Sequence, residues 1–331
     1  MRVAVRCPPQ VRPTGPVAGR VCRAPRWRAL AGGLLLVLAG TGSPAVRAQP
    51  WMEDASTLER IRQTGTLSLG HRESSVPFSY YDGRRQVVGY SHELMMRLVE
   101  PIKRELRLPA LTIKLVPLTA QNRLPLLLNG TVDLECGSTT HNRDRERQVA
   151  FSNSIFVVGT RLLVRRGSPI RDFADLKDPK GRRVLVTAGT TSERLLRTYA
   201  ERERLPALQV LVAKDHGEAF SRLERGEAAA FMMDDALLWG LRARAQQPAD
   251  WEVVGTPMST EVYACAMRQG DARFKRVIDE ALAQLMRDGD ALRIYQRWFQ
   301  RPIPPHGMNL NWPPSPDLLV LYGQPDDRPR D

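Results

Sequence analysis

The most informative chemistry in this chain is an arginine, Arg72, that directly follows the short apolar strand pattern Leu67-Ser68-Leu69 and Gly70. It lies in the segment 70–82, GHRESSVPFSYYD. In open α/β sheets, ligands bind outside the carboxyl ends of the strands. A guanidinium group at such a position offers donors in a fixed fork that matches a carboxylate. Arg72 therefore predicts a pocket for a small anion.

Other polar side chains follow further predicted strands and complete a candidate set. The set consists of Arg72, Arg123, Ser138, Thr140, Arg145, Thr191, His216 and Asp234. Thr190 and Thr191 open a predicted helix, whose first N–H groups and dipole favour an anion. A ligand with two carboxylates and one ammonium satisfies such a set, because arginines, hydroxyls and a histidine can hold the anions while Asp234 meets the cation.

Each of these residues, taken alone, has a structural interpretation instead. An arginine is usually a surface charge, a threonine before a helix is usually a cap, and a lone histidine is usually structural. Asp235 has the position of a helix N-cap, and Asp234 can belong to the same turn. The prediction of a site depends on all these side chains emerging at the same edge of two sheets.

Strands alternate with helices along the chain, which is typical of parallel sheets with crossover helices. The predicted strands are 66–69, 111–116, 132–135, 183–186, 208–212 and 229–233, with extended crossing segments at 155–164 and 261–267. The predicted helices are 56–63, 91–105, 123–128, 192–203, 219–225, 274–288 and 291–299, with a helical turn at 173–176. Two such cycles joined by two crossings predict an α/β fold of two doubly wound lobes with a hinge and a ligand cleft.

Domain boundaries follow from these cycles. We expect residues 49–158 to form the first part of lobe one, 159–260 to form lobe two, and 261–300 to return to lobe one. The Pro-rich tail, 301–331, shows little periodicity, and we expect it to pack on the surface or to be partly loose.

The first 48 residues have the order of a secretory signal peptide. Eight arginines and no acidic residue precede or flank an apolar stretch at 29–39, and small residues end at Ala48, where we expect cleavage. The apolar stretch is shorter than the roughly 20 residues that span a bilayer, so a retained anchor is the weaker alternative. Subtracting these eight arginines from the whole chain's charge of +13 leaves +5 for residues 49–331. A nucleic-acid-binding function therefore has little support from charge.

Cysteine usage is consistent with an oxidising compartment. Cys7 and Cys22 fall in the signal segment, which leaves Cys136 and Cys265 in the mature chain. A disulfide between them and two separate buried thiols both remain open, because sequence distance says nothing about spatial distance. Two cysteines and five scattered histidines show no metal-ligand spacing, so we expect neither a metal nor another cofactor.

Long segments resemble the periplasmic glutamate/aspartate-binding proteins of polar amino-acid ABC importers, which have the type II periplasmic binding fold. The matching segments are GHRESSVPFSYYD, VVGYS, QNRLPLLLNGTVDLECGSTT, FSNSIFVVGTRLL, DFADLK, TAGTTSE, AKDHGEAF, AFMMDDALL and RPIPP, and they cover nearly all of residues 57–312. The resemblance implies that Arg145, Thr140 and Thr191 receive the α-carboxylate of the ligand. It implies that Ser138 and Asp234 take the α-ammonium, and that Arg72, Arg123 and His216 hold the side-chain carboxylate.

Further expectations follow from the resemblance. It implies a monomer that captures L-glutamate or L-aspartate by closure of its lobes and then docks to permease subunits in the inner membrane. Ala120 stands where the family pattern has Ser before Gln-Asn-Arg, so one hydroxyl donor to the side-chain carboxylate is missing and the glutamate-to-aspartate preference stays open.

Two other classes of function compete with capture. A dehydratase-like periplasmic enzyme on the same fold needs a general acid or base in the cleft, for which His216 and Asp234 are available. A ligand sensor is the second alternative, and it would act in trans, because the sequence has no transducing domain of its own.

Overall fold

The computed structural model describes residues 56–178 and 182–330. The predicted signal peptide, residues 1–48, lies outside the described residues. The strands are β1 (Thr66–His71), β2 (Ser74–Ser75), β3 (Ser79–Tyr81), β4 (Val87–Val88), β5 (Thr112–Pro117), β6 (Leu134–Glu135), β7 (Thr140–His141), β8 (Val149–Arg165), β9 (Arg183–Thr187), β10 (Gln209–Ala213), β11 (Ala230–Asp234), β12 (Trp251–Val254) and β13 (Thr260–Arg268).

The helices lie between these strands and after the last of them. They are α1 (Thr57–Thr64), α2 (Tyr90–Arg97), α3 (Val99–Leu106), α4 (Arg123–Leu128), α5 (Arg143–Glu146), α6 (Thr191–Arg202), α7 (His216–Glu224), α8 (Asp235–Arg244), α9 (Ala272–Arg287), α10 (Asp290–Phe299) and α11 (Pro316–Gly323). Short 3₁₀ turns occupy Phe173–Leu176 and Pro248–Asp250.

The fold is α/β with two lobes, as expected from the alternation. In lobe one, β1 pairs in parallel with β5 on one side and with β6 on the other. In lobe two, β9 pairs in parallel with β10 and β11. The strand order therefore reverses beside β1 and beside β9, and such reversals open a crevice at the carboxyl ends of parallel strands. β2, β3 and β4 form a separate small sheet.

The long strand β8 links the two lobes. Its residues from Val149 to Gly159 pair with β13, and its residues from Thr160 onward pair with β11 and β12. β13 runs antiparallel to β8 and pairs with β6 and β7 of lobe one. These two strands are the extended crossings that the sequence predicted, and together they form the hinge.

Aromatic side chains pack where lobe one meets these crossings. Phe78 and Phe156 meet edge to face with ring centroids 4.8 Å apart, and Tyr295 and Phe299 stack at 4.4 Å. Each of the four is fully or almost fully buried, and such pairs contribute about 1 kcal/mol beyond the area they bury. This cluster packs lobe one against the hinge strand β8.

The prediction gave no range for β2, β3, β4, β7, β12, α5 or α8, and the structure departs from the predicted elements in two further places. The predicted helix 91–105 is broken at Leu98 into α2 and α3, because Pro101 has no N–H to continue the helical hydrogen bonds. The tail does pack, but it contains an unpredicted helix, α11, whose Leu318, Leu321 and Tyr322 are buried. Ser315 caps that helix by accepting a hydrogen bond from the Leu318 N–H.

Candidate functional site

Arg72 is the residue directly after β1, and it is 1% exposed. Its backbone N–H donates to Ser79 Oγ at 2.9 Å, which fixes the turn below the side chain. Its Nη1 is buried and has no hydrogen-bond acceptor among the described residues. Burial, followed by the charge of Arg123, lowers the pKa of Arg72 to about 10. The arginine is held inside the protein with unused donors.

Arg123 is the first residue of α4 and is 2% exposed. Its Nη1 donates to the Ser138 carbonyl at 3.2 Å and to Thr139 Oγ1 at 2.9 Å. Thr139 in turn donates to Glu135 Oε2 at 2.7 Å. Arg123 is therefore positioned through a relay that ends on a buried carboxyl group, while burial lowers its own pKa.

His216 is the first residue of α7 and lies in lobe two. The helix begins there because the Asp215 side chain caps it by accepting a hydrogen bond from the Glu218 N–H at 2.9 Å. His216 Nδ1 lies 2.8 Å from Thr187 Oγ1, and Nε2 is buried with no partner in the described part of the chain. Burial, followed by the charges of Arg72 and Arg123, holds the pKa of His216 well below its usual range. The neutral ring can thus accept from Thr187 and donate from Nε2.

Arg145 joins the two lobes. Its Nη1 donates to the Thr140 carbonyl of lobe one at 2.8 Å, and its Nη2 donates to the Gly189 carbonyl of lobe two at 3.4 Å. Burial, followed by the charge of Arg123, lowers the pKa of Arg145 to about 9. Arg145 and Arg123 are therefore close enough for the charge of Arg123 to act on Arg145.

A group of hydroxyls and carboxyls lies on the other side of Arg145. Thr140 Oγ1 and Thr191 Oγ1 are 3.5 Å apart across the lobes, and both donate to Glu261 Oε2. Asp234, at the end of β11, accepts from Ser192 Oγ at 3.2 Å and from the Tyr263 hydroxyl. Asp234 also takes the N-cap position of α8 that was expected for Asp235, because Asp235 is already the first helical residue.

The lobes touch each other beside these groups. Ser74 Oγ of lobe one donates to Asp215 Oδ1 of lobe two at 3.3 Å, while Ser138 Oγ donates to Ser75 Oγ at 3.5 Å within lobe one. Ala120, which is 5% exposed, lies in the segment that packs against Gly189 of lobe two. The structure is therefore a closed arrangement in which the candidate site lies between the lobes.

The structure brings the eight predicted residues to one place. Direct contacts or mutual charge effects connect Arg72, Arg123, Ser138, Thr140, Arg145, Thr191, His216 and Asp234. Sequence reasoning missed Thr139, Glu135 and Glu261. Glu135 ends the predicted strand 132–135, so its position at a strand end was an available signal. Asp234 was predicted from the same kind of position.

Cys136 and Cys265 form a disulfide between the residue after β6 and the middle of β13. The structure thus decides between the two alternatives that the sequence left open. Among the described residues no cluster of three or more His, Cys, Asp or Glu side chains could hold a metal ion. No helix in the described ranges is both long and apolar enough to cross a bilayer.

Most of the amino-acid sequence matches a known protein family. Residues 67–301 match the model of the bacterial extracellular solute-binding proteins, family 3. The chain belongs to this family. The cleft of this family 3 protein is lined by side chains suited to charged groups, and both of its lobes contribute them.

Two curated relatives are similar to this family 3 protein over nearly their whole length. The glutamate/aspartate import solute-binding protein of Escherichia coli K12 is 50% identical over 273 residues, covering 82% of this chain and 89% of the relative. The L-glutamate/L-aspartate-binding protein of Pseudomonas aeruginosa PAO1 is 50% identical over 277 residues, covering 83% and 90%. Both relatives are named as binding proteins and not as enzymes.

A solved structure shares the fold at lower identity. An ancestral arginine-binding protein bound to arginine superposes with a TM-score of 0.63 at 27% identity, covering 71% of this chain and 98% of its own. The fold of this family 3 protein is therefore that of amino-acid-binding proteins with different ligands. The ligand must be argued from the side chains in the cleft.

Proposed function

We propose that this protein captures L-glutamate or L-aspartate in the periplasm and delivers it to the permease subunits of an ABC importer. One observation carries the choice of an acidic ligand: Arg72 and Arg123 are both buried at the same end of the cleft, and Arg72 Nη1 has no acceptor among the described residues. A buried guanidinium without a partner is costly, so the cleft favours a ligand that brings a carboxylate.

His216 supports the same end of the cleft as a carboxylate subsite. Its unpartnered Nε2 is buried, and its pKa responds to the charges of Arg72 and Arg123. We assign the ligand's side-chain carboxylate to these three residues. Glu135 is the carboxyl group with the largest effect on the pKa of both guanidinium groups, and burial still lowers both pKa values, so a ligand carboxylate would stabilise their charges further.

The amino-acid end of the ligand is assigned to the residues around Arg145. Arg145, with Thr140 and Thr191, receives the α-carboxylate, since the first N–H groups of α6 also lie at this point and have no acceptor within the helix. Ser138 and Asp234 take the ammonium. The ligand thereby contacts both lobes at once, and it stabilises the closed form by its extra affinity for that form.

The lobe boundaries form part of the proposal. Residues 49–158 and 261–300 make lobe one, 159–260 make lobe two, and 301–331 form the tail. The change of β8 partner between Gly159 and Thr160 and the start of β13 at Thr260 support these limits. Secretion with cleavage after Ala48 and a monomeric state complete the proposal.

Calorimetry on the mature protein tests the ligand class. The protein is unfolded and refolded to remove any bound ligand, and it is then titrated with L-glutamate, L-aspartate, L-glutamine and L-arginine. We expect the two acidic amino acids to bind at micromolar Kd or tighter, about −8 kcal/mol or better. Tighter binding of glutamine or arginine contradicts the proposal. Mass spectrometry of the periplasmic extract reports the cleavage point and the co-purified ligand.

A further inference from the structure

Glu261 lies at the start of the hinge strand β13 and is 4% exposed. Its Oε2 accepts from Thr140 Oγ1 of lobe one at 2.6 Å and from Thr191 Oγ1 of lobe two at 2.9 Å. Its Oε1 accepts from Ser259 Oγ at 3.1 Å and, at 3.5 Å, from Thr160 Oγ1. A carboxyl group from the hinge thus contacts both threonines that the proposed function assigns to the ligand.

These contacts decide what the two threonines can offer a ligand. A hydroxyl group has one hydrogen to donate and two lone pairs that accept. Thr140 and Thr191 both direct that hydrogen to Glu261. Toward the cleft they present lone pairs, so their side chains can accept from an ammonium but cannot donate to a carboxylate. The α-carboxylate is then left with Arg145 and the N–H groups at the start of α6.

A second carboxyl group lies at the same place without a cation. Asp234 is 4% exposed and accepts hydrogen bonds from Ser192, Thr160 and Tyr263. Neither Asp234 nor Glu261 forms a salt bridge with any residue in the described ranges. Burial, followed by the charge of Glu261, raises the pKa of Asp234 to about 7.

Arg145 is one of two cations whose pKa responds to this pair, the other being Arg123. Burial lowers the pKa of Arg145, and the charges of Glu261 and Asp234 oppose that shift. One N–H of Nη1 and one N–H of Nη2 donate to the carbonyl oxygens of Thr140 and Gly189, and no hydrogen bond or salt bridge joins Arg145 to Glu261 or Asp234 in the described ranges. Two buried carboxyl groups and two hydroxyl acceptors therefore lie close together, and a small cation with several N–H donors would satisfy them.

We propose that Glu261 is the second acid of the ammonium subsite, and that it makes the protein select amino acids over dicarboxylates that lack an amine. This inference rests on the proposed function and changes one assignment in it: the Thr140 and Thr191 hydroxyls accept from the ammonium and do not donate to the α-carboxylate. Glu261 acts both by its own charge and by turning the Thr140 and Thr191 hydroxyls into acceptors. A site built to pair with an N–H group rejects an analogue without it, because its buried acceptors stay unpaired.

The test compares L-glutamate with glutarate, which has the same two carboxylates and carbon chain but no ammonium. Isothermal titration gives the Kd of both ligands for the mature wild-type protein, for Glu261→Gln and for the control Glu227→Gln, a half-buried acid of lobe two. We expect the wild type and the control to prefer L-glutamate strongly. Glu261→Gln is expected to reduce that preference about tenfold or more, because L-glutamate binds more weakly while glutarate does not.

The outcomes separate the role of Glu261 from the proposed function. Equal weakening of both ligands in Glu261→Gln indicates a structural role and overturns the inference, as does an unchanged preference. Tighter binding of both ligands also overturns it, because Glu261 would then compete with the ligand's carboxylate. A refolded wild type that binds neither ligand overturns the proposed function itself.

Thr140→Val keeps the inference testable if Glu261→Gln does not fold. Valine has nearly the same shape as threonine and lacks the hydroxyl. If the hydroxyl accepts from the ammonium, Thr140→Val weakens L-glutamate and leaves glutarate unchanged. If the hydroxyl donates to the α-carboxylate, both ligands weaken alike, and the inference fails.

Discussion

Gly189 of lobe two lies directly against Gln121 of lobe one: a β-carbon placed on Gly189 would be 2.9 Å from the Gln121 Cα. The same glycine has a φ of +74°, a backbone conformation that favours glycine. Its carbonyl accepts from Arg145. The turn before α6 thus makes a close backbone contact across the cleft, and the closed form depends on the absence of a side chain there.

Gly189→Ala should therefore weaken ligand binding by opposing closure. Gly226→Ala is the matched control, because Gly226 has a φ of +75° and a β-carbon placed on it would meet no heavy atom within 4 Å. That variant therefore has the same backbone strain as Gly189→Ala but no steric contact across the cleft. We expect both variants to lose about 1 kcal/mol of folding free energy. Only Gly189→Ala should raise the Kd for L-glutamate, by about tenfold or more. Equal Kd values for the two variants contradict a role of this contact in closure.

Arg72→Met should affect the folding stability of the ligand-free protein and its affinity for L-glutamate differently. The buried Arg72 guanidinium has an unpartnered Nη1, and its lowered pKa reports the cost of burying its charge. Replacing an unpaired buried charge by an apolar side chain of similar length is neutral or stabilising. The ligand-free variant should therefore melt at the same temperature as the wild type or higher.

Ligand binding should be weaker in Arg72→Met, although the stability of the ligand-free protein should not fall. Loss of one partner of a buried ion pair costs about 3–5 kcal/mol, so calorimetry should show L-glutamate affinity reduced by at least two orders of magnitude. Arg84→Met, at an exposed position, is the control and should leave the Kd unchanged. An Arg72→Met protein that binds L-glutamate normally would falsify the assignment of the side-chain carboxylate.

The disulfide gives a prediction about stability. Cys136 and Cys265 are fully buried, and 129 residues of sequence separate them. A cross-link over so long a loop restricts the unfolded chain, which stabilises the fold by about 2–5 kcal/mol. The double variant Cys136→Ala and Cys265→Ala should unfold at a correspondingly lower urea concentration. A midpoint that is the same in the wild type, the double variant and the reduced wild type would count against the bridge.

The sequence predicted most of the secondary structure and the positions of the site residues for one physical reason. Alternating strands and helices place the carboxyl ends of parallel strands at one edge, so polar residues after those strands must converge. α4 and the turn Phe173–Leu176 have the predicted bounds, because Asn129-Gly130 and an Asp172 cap limit them. α11 was missed because its pattern is apolar nearly all round and no amphipathic period marks it.

Glu261 could not be found by the same reasoning. It lies at the start of a strand and not at a carboxyl end, and the pairing of β13 with β8 is irregular between Tyr263 and Ala266. Which way its side chain points depends on that register, which a single sequence does not reveal. The hydrogen bonds that turn Thr140 and Thr191 into acceptors are likewise a property of the folded hinge.

The final prediction concerns pH and the carboxyl groups beside the ammonium position. Burial, followed by the charge of Glu261, raises the pKa of Asp234 to about 7, while hydrogen bonds from Tyr263 and Ser192 oppose the shift. Below pH 7 the ligand-free protein therefore holds a proton on Asp234. A bound ammonium favours the ionised form, so the complex holds fewer protons than the free protein.

Affinity must consequently rise with pH between about 6 and 8, because binding releases a proton. Titrations at pH 7 in two buffers of different ionisation enthalpy should show net proton release with L-glutamate. Glutarate has no ammonium to stabilise the ionised Asp234, so its affinity should not share the rise. His216→Asn removes the other group whose protonation a bound carboxylate favours, and proton release should persist in it. An L-glutamate affinity that falls or stays level from pH 6 to pH 8 in this variant would place the ammonium away from Asp234.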